Sequence, residues 1–340
     1  MTLESALSHP LDRPLDAVLD VAVAAALRAP SVLNTQPWRW RIHDGILDLR
    51  VDPDRQLPAL DPEGRMLTVS CGAALDHALI ALRTQGYRAE VRLLPEPTDP
   101  ELLASIRPVE TLPATAEDFR RYQTTLRRHT DRRPFGPDPL SSDDLAALRH
   151  SAETHLIQLH LVTAEQLPTL AAAATSAASA ELADSRSRAE LTRWTRRPAG
   201  AAAGLTTNVT VPPALRPVPL RPFAADERGE LDPGPGDESG ARYLILWGDR
   251  DGRRAWLSAG LALSAVLLTA AERGLATSPM TDLVEVANTR LVLRRLLSWQ
   301  GHPYAVLRVG IATADVGLPA AGRRSHDAAV EIIPPTLTAP

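Results

Sequence analysis

The stretch Arg28-Ala-Pro-Ser-Val-Leu-Asn-Thr-Gln-Pro-Trp38 decides how the first part of the chain folds. Before it, Leu15–Leu27 carries apolar residues at helical spacing, and Pro30 disfavours helix in the residue that precedes it. After it, Trp38–Ile42 and Ile46–Val51 alternate apolar and polar residues around an Asp-Gly pair, which predicts a β-hairpin. The stretch is therefore expected to be a fixed turn between a helix and a hairpin.

A second stretch, Arg127-Arg-His-Thr-Asp-Arg-Arg-Pro-Phe135, concentrates arginines around a hydroxyl group. Arginines bind phosphate through charge-assisted hydrogen bonds, and a neighbouring hydroxyl adds a further donor. The alternative is a solvated surface, because the 37 basic residues of this chain include no lysine and arginine is common throughout. We expect the surface position for Arg127 and Arg133 but not for Arg128 and Arg132.

Composition limits the classes of function. The 340 residues are 44% hydrophobic and 23% charged, which is normal for a globular protein. A net charge of −4 argues against nucleic acid as a partner. The absence of lysine excludes Schiff-base, pyridoxal-phosphate and Walker-A chemistry. The single cysteine, Cys71, excludes a disulfide framework and is expected to be buried, and neither an export signal nor a membrane span is expected.

Two segments of the chain look like copies of one core helix. Cys71–Tyr87 aligns without a gap on Ala259–Leu275, and the alignment places Gly72 on Gly260. Helices that are apolar on nearly every side are core helices, and small residues permit them to cross closely. We interpret the pair as a duplicated fold whose two core helices lie side by side, although any two Ala/Leu-rich helices would align similarly.

The remaining pattern predicts further elements. A Ser/Asp-capped helix follows Leu140, and Ile157–Val162, Arg242–Trp247 and Ala305–Ile311 are predicted strands. Residues 165–240 are an insertion with Ala-rich, Arg-rich and Pro-rich parts, and they include Trp194 among arginines. So long an insertion is usually a lid or a disordered linker.

The two quoted stretches together resemble the flavin-binding segments of nitroreductase-type FMN proteins. Their order is reversed and they lie far apart, as in the Acg family of actinobacterial nitroreductase-like proteins. The resemblance implies an α+β, nitroreductase-like fold in which two fused halves form a single-chain pseudo-dimer. The expected halves are residues 1–115 and 116–340, the latter with the lid at about 165–240. Each half has kept one of two complementary motifs, so one FMN pocket is expected.

The resemblance also implies which residues bind FMN. The arginine stretch and the C-terminal segment grip the phosphate and ribityl end, while Pro-Ser-x-x-Asn and the loop after Gly274 contact the flavin ring. No catalytic side chain and no metal ligand is expected. The implied cofactor-binding residues are Pro30, Ser31, Asn34, Arg128, His129, Thr130, Arg132, Pro279, Met280, Thr281, Arg323 and Arg324.

The expected function is that of a cytoplasmic FMN-dependent oxidoreductase. It would pass hydride or electrons from NAD(P)H to a small oxidant such as a nitroaromatic or a quinone, as a monomeric pseudo-dimer or a weak homodimer. The alternative is a non-catalytic FMN-binding or FMN-storage protein with a lid-occluded flavin, and the third possibility is an interaction scaffold with a dead pocket. The Gly-rich residues 234–240 do not follow a strand, which argues against a dinucleotide-binding motif.

Overall fold

The computed structural model describes residues 14–198, 200–223, 229–313 and 317–333. Helices and two mainly antiparallel sheets make up these ranges and confirm the predicted α+β class. The helices are α1 (Leu15–Ala26), α2 (Arg65–Thr84), α3 (Ala116–Arg127), α4 (Ser142–Glu153), α5 (Leu167–Ala183), α6 (Ser185–Thr195), α7 (Arg253–Glu272), α8 (Asp282–Glu285) and α9 (Ala287–Leu296). The strands are β1 (Trp38–His43), β2 (Ile46–Val51), β3 (Tyr87–Leu93), β4 (Leu102–Thr111), β5 (Gln158–Leu161), β6 (Arg242–Gly248), β7 (Ala276–Pro279), β8 (His302–Gly310) and β9 (Val330–Ile332).

The first sheet has the strand order β3-β4-β2-β1-β9. Strands β1 and β2 form the predicted antiparallel hairpin, and Asp44 and Gly45 at its turn have left-handed φ angles of 47° and 69°. Two successive left-handed residues match the twist of a two-residue hairpin turn. Strand β9, from the far end of the chain, lies parallel to β1 and completes this sheet.

The second sheet, β5-β6-β8-β7, has the same connectivity as the first four strands of the first sheet. In chain order, β5 to β8 occupy the places of β1 to β4, and all of these pairs are antiparallel. Helix α2 joins β2 to β3, and α7 joins β6 to β7. Gly86 and Gly274, which follow these helices, have left-handed φ angles of 85° and 73°. Helices α8 and α9, between β7 and β8, have no counterpart between β3 and β4.

Helices α2 and α7 pack against each other at the predicted glycines. A Cβ atom on Gly72 would lie 2.2 Å from the carbonyl oxygen of Leu257, and one on Gly260 would lie 2.1 Å from that of Val69. Only glycine permits so close a crossing. Both helices have the length and hydropathy of membrane spans, but 89% and 72% of their apolar windows are buried inside the protein. Their composition therefore reflects their place at the centre of the core.

The inserted segment is more regular than its sequence suggested. Helices α5 and α6 occupy its first part, and Leu170, Leu191 and Trp194 are buried in the same core as strands β6 and β8. Trp194, which was expected on the lid, is buried, with only 8% of its surface exposed. This part of the insertion therefore belongs to the body of the protein.

Candidate functional site

Two adjoining cavities bring together the segments that the sequence singled out. Both are lined by Pro30, Ser31, Thr130 and Arg132, so they form one continuous cleft. The first cavity encloses about 830 Å³ including its mouth, within the ~300–1,000 Å³ usual for small-molecule sites. Its lining is mainly apolar and includes Val32, Leu33, Met66, Val69, Leu263, Pro279, Met280 and Thr281. The second cavity is lined by polar and basic side chains that include Asn34, Arg128, His129 and Arg323.

The segment after α1 forms one wall in an unusual backbone conformation. Leu33, Asn34 and Gln36 have φ angles of 45°, 53° and 53°, in the left-handed region that non-glycine residues rarely adopt. The Ser31 hydroxyl accepts a hydrogen bond from the Gln36 backbone N–H at 2.9 Å, and it thereby holds the turn. Such strain persists only where surrounding contacts enforce it, and it is common at ligand sites.

The Asn34 amide is committed to protein partners on both sides. Its Nδ2 donates to the carbonyl oxygens of Gly204 and Gly322 at 3.1 Å each. Its Oδ1 accepts a hydrogen bond from Arg323 Nη1 at 3.0 Å. Asn34 therefore ties the insertion and the C-terminal segment to the turn, and it fixes the guanidinium of Arg323 at the edge of the second cavity.

Arg128 is a buried cation without a partner. It follows α3 directly and is 7% exposed, and its Nε and Nη1 atoms have no hydrogen-bond partner among the described residues. Burial lowers the pKa of Arg128 to about 10, so the side chain stays charged at neutral pH. An unpaired buried charge is costly, which means that this site is incomplete without an anion.

Two further arginines add to the positive charge at this end of the cleft. Burial, and then the charge of Arg308, lower the pKa of Arg132 to about 10. Burial, and then the charges of Arg128 and Arg28, lower the pKa of Arg323 to about 9. Arg132 donates from Nη1 to the carbonyl oxygen of Val209 at 3.1 Å. Its guanidinium also lies 5.0 Å from the ring centre of Phe223.

His129 and Thr130 lie between these arginines. Burial, and then the charges of Arg128 and Arg323, lower the pKa of His129 from its ordinary value. The imidazole is therefore neutral at neutral pH and contributes hydrogen bonds instead of charge. Thr130 lines both cavities and places its hydroxyl where they meet.

Other residues of the arginine stretch form buried contacts that hold the site in place. The expectation of a surface position for Arg133 is wrong: it is 7% exposed and forms an ion pair with Asp131 at 2.8 Å. Arg308, fully buried in β8, donates to the carbonyl oxygens of Asp131 and Arg133 at 2.8 and 2.9 Å. Glu238 balances its charge. Sequence reasoning missed Arg308, although an arginine inside a continuous apolar run was a usable signal.

The segment Pro279–Thr281 lines the first cavity, but part of it is a strand. Residues Ala276–Pro279 form β7, whereas the sequence predicted a loop with free backbone N–H groups. Pro279 has no N–H group, and Met280 donates its N–H to the carbonyl oxygen of Val306 at 2.8 Å. Only Thr281, in this segment, keeps an N–H group without a backbone acceptor in the described part of the chain.

The structure separates the two C-terminal arginines. Arg323 lines the second cavity, but Arg324 does not. Arg324 Nη1 donates to the carbonyl oxygens of Gln36 and Trp38 at 3.2 and 2.9 Å, and it lies 3.1 Å from Asp52 Oδ2. Arg324 therefore holds the turn before β1 in place, and it does so from outside the cleft.

The insertion provides a wall of the cleft that the sequence did not specify. Leu220, Arg221 and Phe223 line the first cavity. Arg221 is buried and forms ion pairs with Glu181 at 2.8 Å and Glu285 at 2.9 Å. Asp282, beside Thr281, also lines this cavity and is 1% exposed. Glu181 and Arg221 lie far in sequence from Asp282 and Glu285, and no motif linked them.

The cleft therefore suits a ligand with an apolar part and an anionic end. Its apolar cavity adjoins a pocket that is lined by the buried Arg128, whose Nε and Nη1 atoms meet no partner in the described part of the chain, and by two more cations. Thr130 lines both cavities.

Comparisons with known proteins place the chain in a family. The model of the "Nitroreductase family" matches residues 125–311, more than half of the chain. A Mycobacterium tuberculosis (H37Rv) protein named "Putative NAD(P)H nitroreductase Rv3131" is 38% identical over 90% of this chain and 89% of that protein. Another from the same organism, named "Putative NAD(P)H nitroreductase acg", is 35% identical over 90% of this chain and 93% of that protein.

A solved structure from Desulfitobacterium hafniense, described as a nitroreductase with bound FMN, aligns with 63% of this chain and 98% of that chain. Its TM-score is 0.41 and its identity is 10%. The predicted resemblance to nitroreductases, and to the Acg protein among them, is confirmed by the family model and the sequence relatives. This chain belongs to the nitroreductase family.

Proposed function

We propose that the protein is an FMN-dependent oxidoreductase that passes hydride or electrons from NAD(P)H to a small oxidant such as a nitroaromatic or a quinone. The observation that carries the proposal is the buried guanidinium of Arg128 in the basic cavity that adjoins the apolar one, because its Nε and Nη1 atoms meet no partner among the described residues. FMN combines a dianionic phosphate with a flat apolar ring, and family membership makes it the expected cofactor.

Arg128, Arg132 and Arg323 would hold the phosphate, with Thr130 and His129 beside the ribityl chain. Each hydrogen bond to the charged group contributes ~1.5–3 kcal/mol, and the phosphate supplies the partner that Arg128 otherwise lacks. Arg324 is left out of this proposal because its guanidinium is engaged elsewhere.

Pro30, Ser31, Pro279, Met280 and Thr281 would enclose the ring in the first cavity. Asn34 acts on the cofactor through Arg323, because its amide is already bonded to protein groups. When bound, FMN supplies the hydride chemistry, and the side chains supply position, hydrogen bonds and exclusion of water.

We also propose that residues 1–115 and 116–340 are two fused nitroreductase-like halves. The support is the common strand order of the two sheets and the glycine crossing of α2 and α7. The single set of phosphate-binding arginines favours about one FMN per chain, in a monomeric pseudo-dimer or weak homodimer. A cytoplasmic location stays a prediction.

The second candidate function is an FMN-binding or FMN-storage protein. It is favoured by Leu220 and Phe223, because through these residues the insertion forms part of the wall of the first cavity, which a nicotinamide would have to enter. Whether residues 165–240 act as a lid over the flavin therefore bears on the choice between storage and catalysis.

An absorption spectrum of the purified protein, followed by turnover with NADH or NADPH and a quinone, tests the proposal. Bound FMN with turnover supports the oxidoreductase, and bound FMN that only dithionite reduces supports storage. Protein that stays colourless after reconstitution with FMN contradicts both functions and leaves the interaction scaffold.

A further inference from the structure

One carboxyl group at the cleft has an oxygen atom that meets no hydrogen-bond partner among the described residues. Asp282 is the first residue of α8, directly after Thr281, and it lines the first cavity. It is 1% exposed, and its Oδ2 atom has no hydrogen-bond partner in the described ranges. A buried polar atom that meets no protein partner is unusual, and it points to a ligand or a chemical role.

We propose that Asp282 is the proton donor to the oxidant that is reduced in this cleft. The inference rests on the proposed function and deepens it, because a quinone or a nitroaromatic needs a proton on oxygen as well as a hydride. In the described part of the chain, Asp282 is the only carboxylic acid that lines the first cavity.

The surroundings of Asp282 favour the acid form. Arg221 faces it from the insertion, and Glu285 faces it from α8 itself. Glu181 on α5 pairs with the same arginine, and Asp61 lies near Glu285. Burial raises the pKa of Asp282 to about 6; the charge of Arg221 opposes this shift and that of Glu285 adds to it. An acid that titrates near the working pH is the effective kind of donor.

The residues described place no group of three or more His, Cys, Asp and Glu side chains where it could hold a metal ion. A bound proton is therefore the simplest way to neutralise the excess negative charge of the carboxylates around Arg221. Burial raises the pKa of Glu181 to about 8, which supports a shared proton in the cluster.

For a quinone, reduced FMN would supply a hydride that forms an O–H bond at one quinone oxygen as its bond to the flavin breaks, so that the quinone would gain two electrons and the flavin would lose two. The O–H bond of Asp282 would break, and a new O–H bond would form on the other quinone oxygen to give the hydroquinone. Asp282 remains as a carboxylate, which the neighbouring guanidinium of Arg221 stabilises.

The fold also offers a way to restore the proton. Asp61, Glu181 and Glu285 line a separate groove that also includes Arg290. Solvent in that groove reaches the carboxylates around Arg221 without entering the cofactor cavity. Asp282 would regain its proton from the side of this cluster.

The first test compares Asp282→Asn with Glu285→Gln. Both substitutions remove one carboxylate near Arg221, but Glu285 does not line the cofactor cavity. Protein reduced with dithionite is mixed with a quinone or with ferricyanide, which accepts one electron and needs no proton. We expect Asp282→Asn to slow reoxidation by the quinone by roughly 100-fold or more and to leave the ferricyanide rate within about twofold. Glu285→Gln should affect the quinone rate far less.

The second test needs no turnover. The Kd of FMN is measured from about pH 5 to about pH 8 in the wild type and both variants. A flavin ring against Asp282 removes water from it and favours its acid form, so ionisation of Asp282 opposes binding. The ratio of the wild-type Kd to that of Asp282→Asn should rise severalfold with pH, and titration of the FMN phosphate cancels in this ratio. The ratio to Glu285→Gln should stay nearly flat.

Each result has a definite meaning. Equal quinone rates in the wild type and Asp282→Asn overturn this inference while the proposed function stands. Equal losses in Asp282→Asn and Glu285→Gln also overturn it, because they indicate a structural role of the whole cluster. Failure of the wild type to bind FMN overturns the proposed function and this inference together.

Discussion

The two sheets of this protein share an architecture but differ in what surrounds them. Before β1, the chain forms the strained Ser31–Gln36 turn, whereas only a few residues separate α4 from β5. Before α4 lies the arginine stretch, and no similar stretch precedes α1 in the sequence. Between β7 and β8 lie α8 and Asp282, whereas β3 and β4 are joined without a helix.

The two regions therefore show that a repeated structure does not require repeated chemistry. The two sheets and their core helices supply a scaffold, and each region contributes different side chains to one shared cleft. A cleft that needs both contributions can form once in this chain. The scaffold, the cleft and the wall that the insertion supplies can each be tested by substitution.

The largest expected effect is on the contact between the two regions. Gly260→Val would place side-chain atoms against the carbonyl oxygen of Val69 and force α2 and α7 apart. We expect a loss of ~3 kcal/mol or more in the free energy of unfolding, measured with urea. Gly317→Val is the control, because a Cβ atom there meets no atom within 4 Å. Similar losses in the two variants would mean that the crossing does not hold the regions together.

The next effect concerns the basic end of the cleft. Arg128→Met should weaken FMN binding by ~1.5–3 kcal/mol, because it removes charge-assisted bonds to the phosphate. It should also stabilise the FMN-free protein by ~1 kcal/mol or more, because an unpaired buried charge is lost. Titration with FMN and thermal unfolding measure the two effects. Arg127→Met, at the exposed neighbouring position, should change neither. Parallel losses of binding and stability in Arg128→Met would indicate a purely structural arginine.

A third effect depends on pH. The folded-state pKa of Asp282 is raised to about 6 from 3.8, chiefly by burial, so its ionisation opposes folding. Stability from this group is lost as pH rises between these values, and the full penalty of ~1–3 kcal/mol is present above about pH 6. Asp282→Asn should therefore stabilise the FMN-free protein at about pH 7 and not at about pH 4. Equal effects at both values would show that burial does not perturb this carboxyl group.

The smallest expected effect concerns the wall supplied by the insertion. Phe223→Ala should open the first cavity and raise the rate of flavin reduction by NADH or NADPH by ~3- to 10-fold. Reduction by the smaller dithionite should change little. Phe119→Ala is the control, because Phe119 is 52% exposed. Loss of FMN without a gain in rate would make Phe223 a structural part of the pocket.

Much of the scaffold could be predicted from local patterns. The hairpin, the capped helix α4, strands β6 and β8 and the glycine pair Gly72 and Gly260 follow from periodicity and small-residue spacing. Eleven of the twelve residues that the family motifs implied line the cleft.

What escaped prediction depends on partners distant in sequence. Arg324 turns away from the cleft because Trp38, 286 residues earlier, offers its carbonyl oxygen. Arg133 is buried because Asp131 pairs with it and Arg308, 175 residues later, bonds its carbonyl oxygen. Asp282 has a raised pKa chiefly because the fold buries it, and Arg221 from the Pro-rich insertion opposes that shift. No local pattern encodes such meetings.

The most direct test of the central claim is the amount of FMN released when the purified, FMN-saturated protein is denatured, measured against protein concentration. Because two unlike regions build one cleft, we expect about one FMN per chain. About two FMN per chain would show that the two regions form equivalent sites, and none would show that the cleft does not bind flavin.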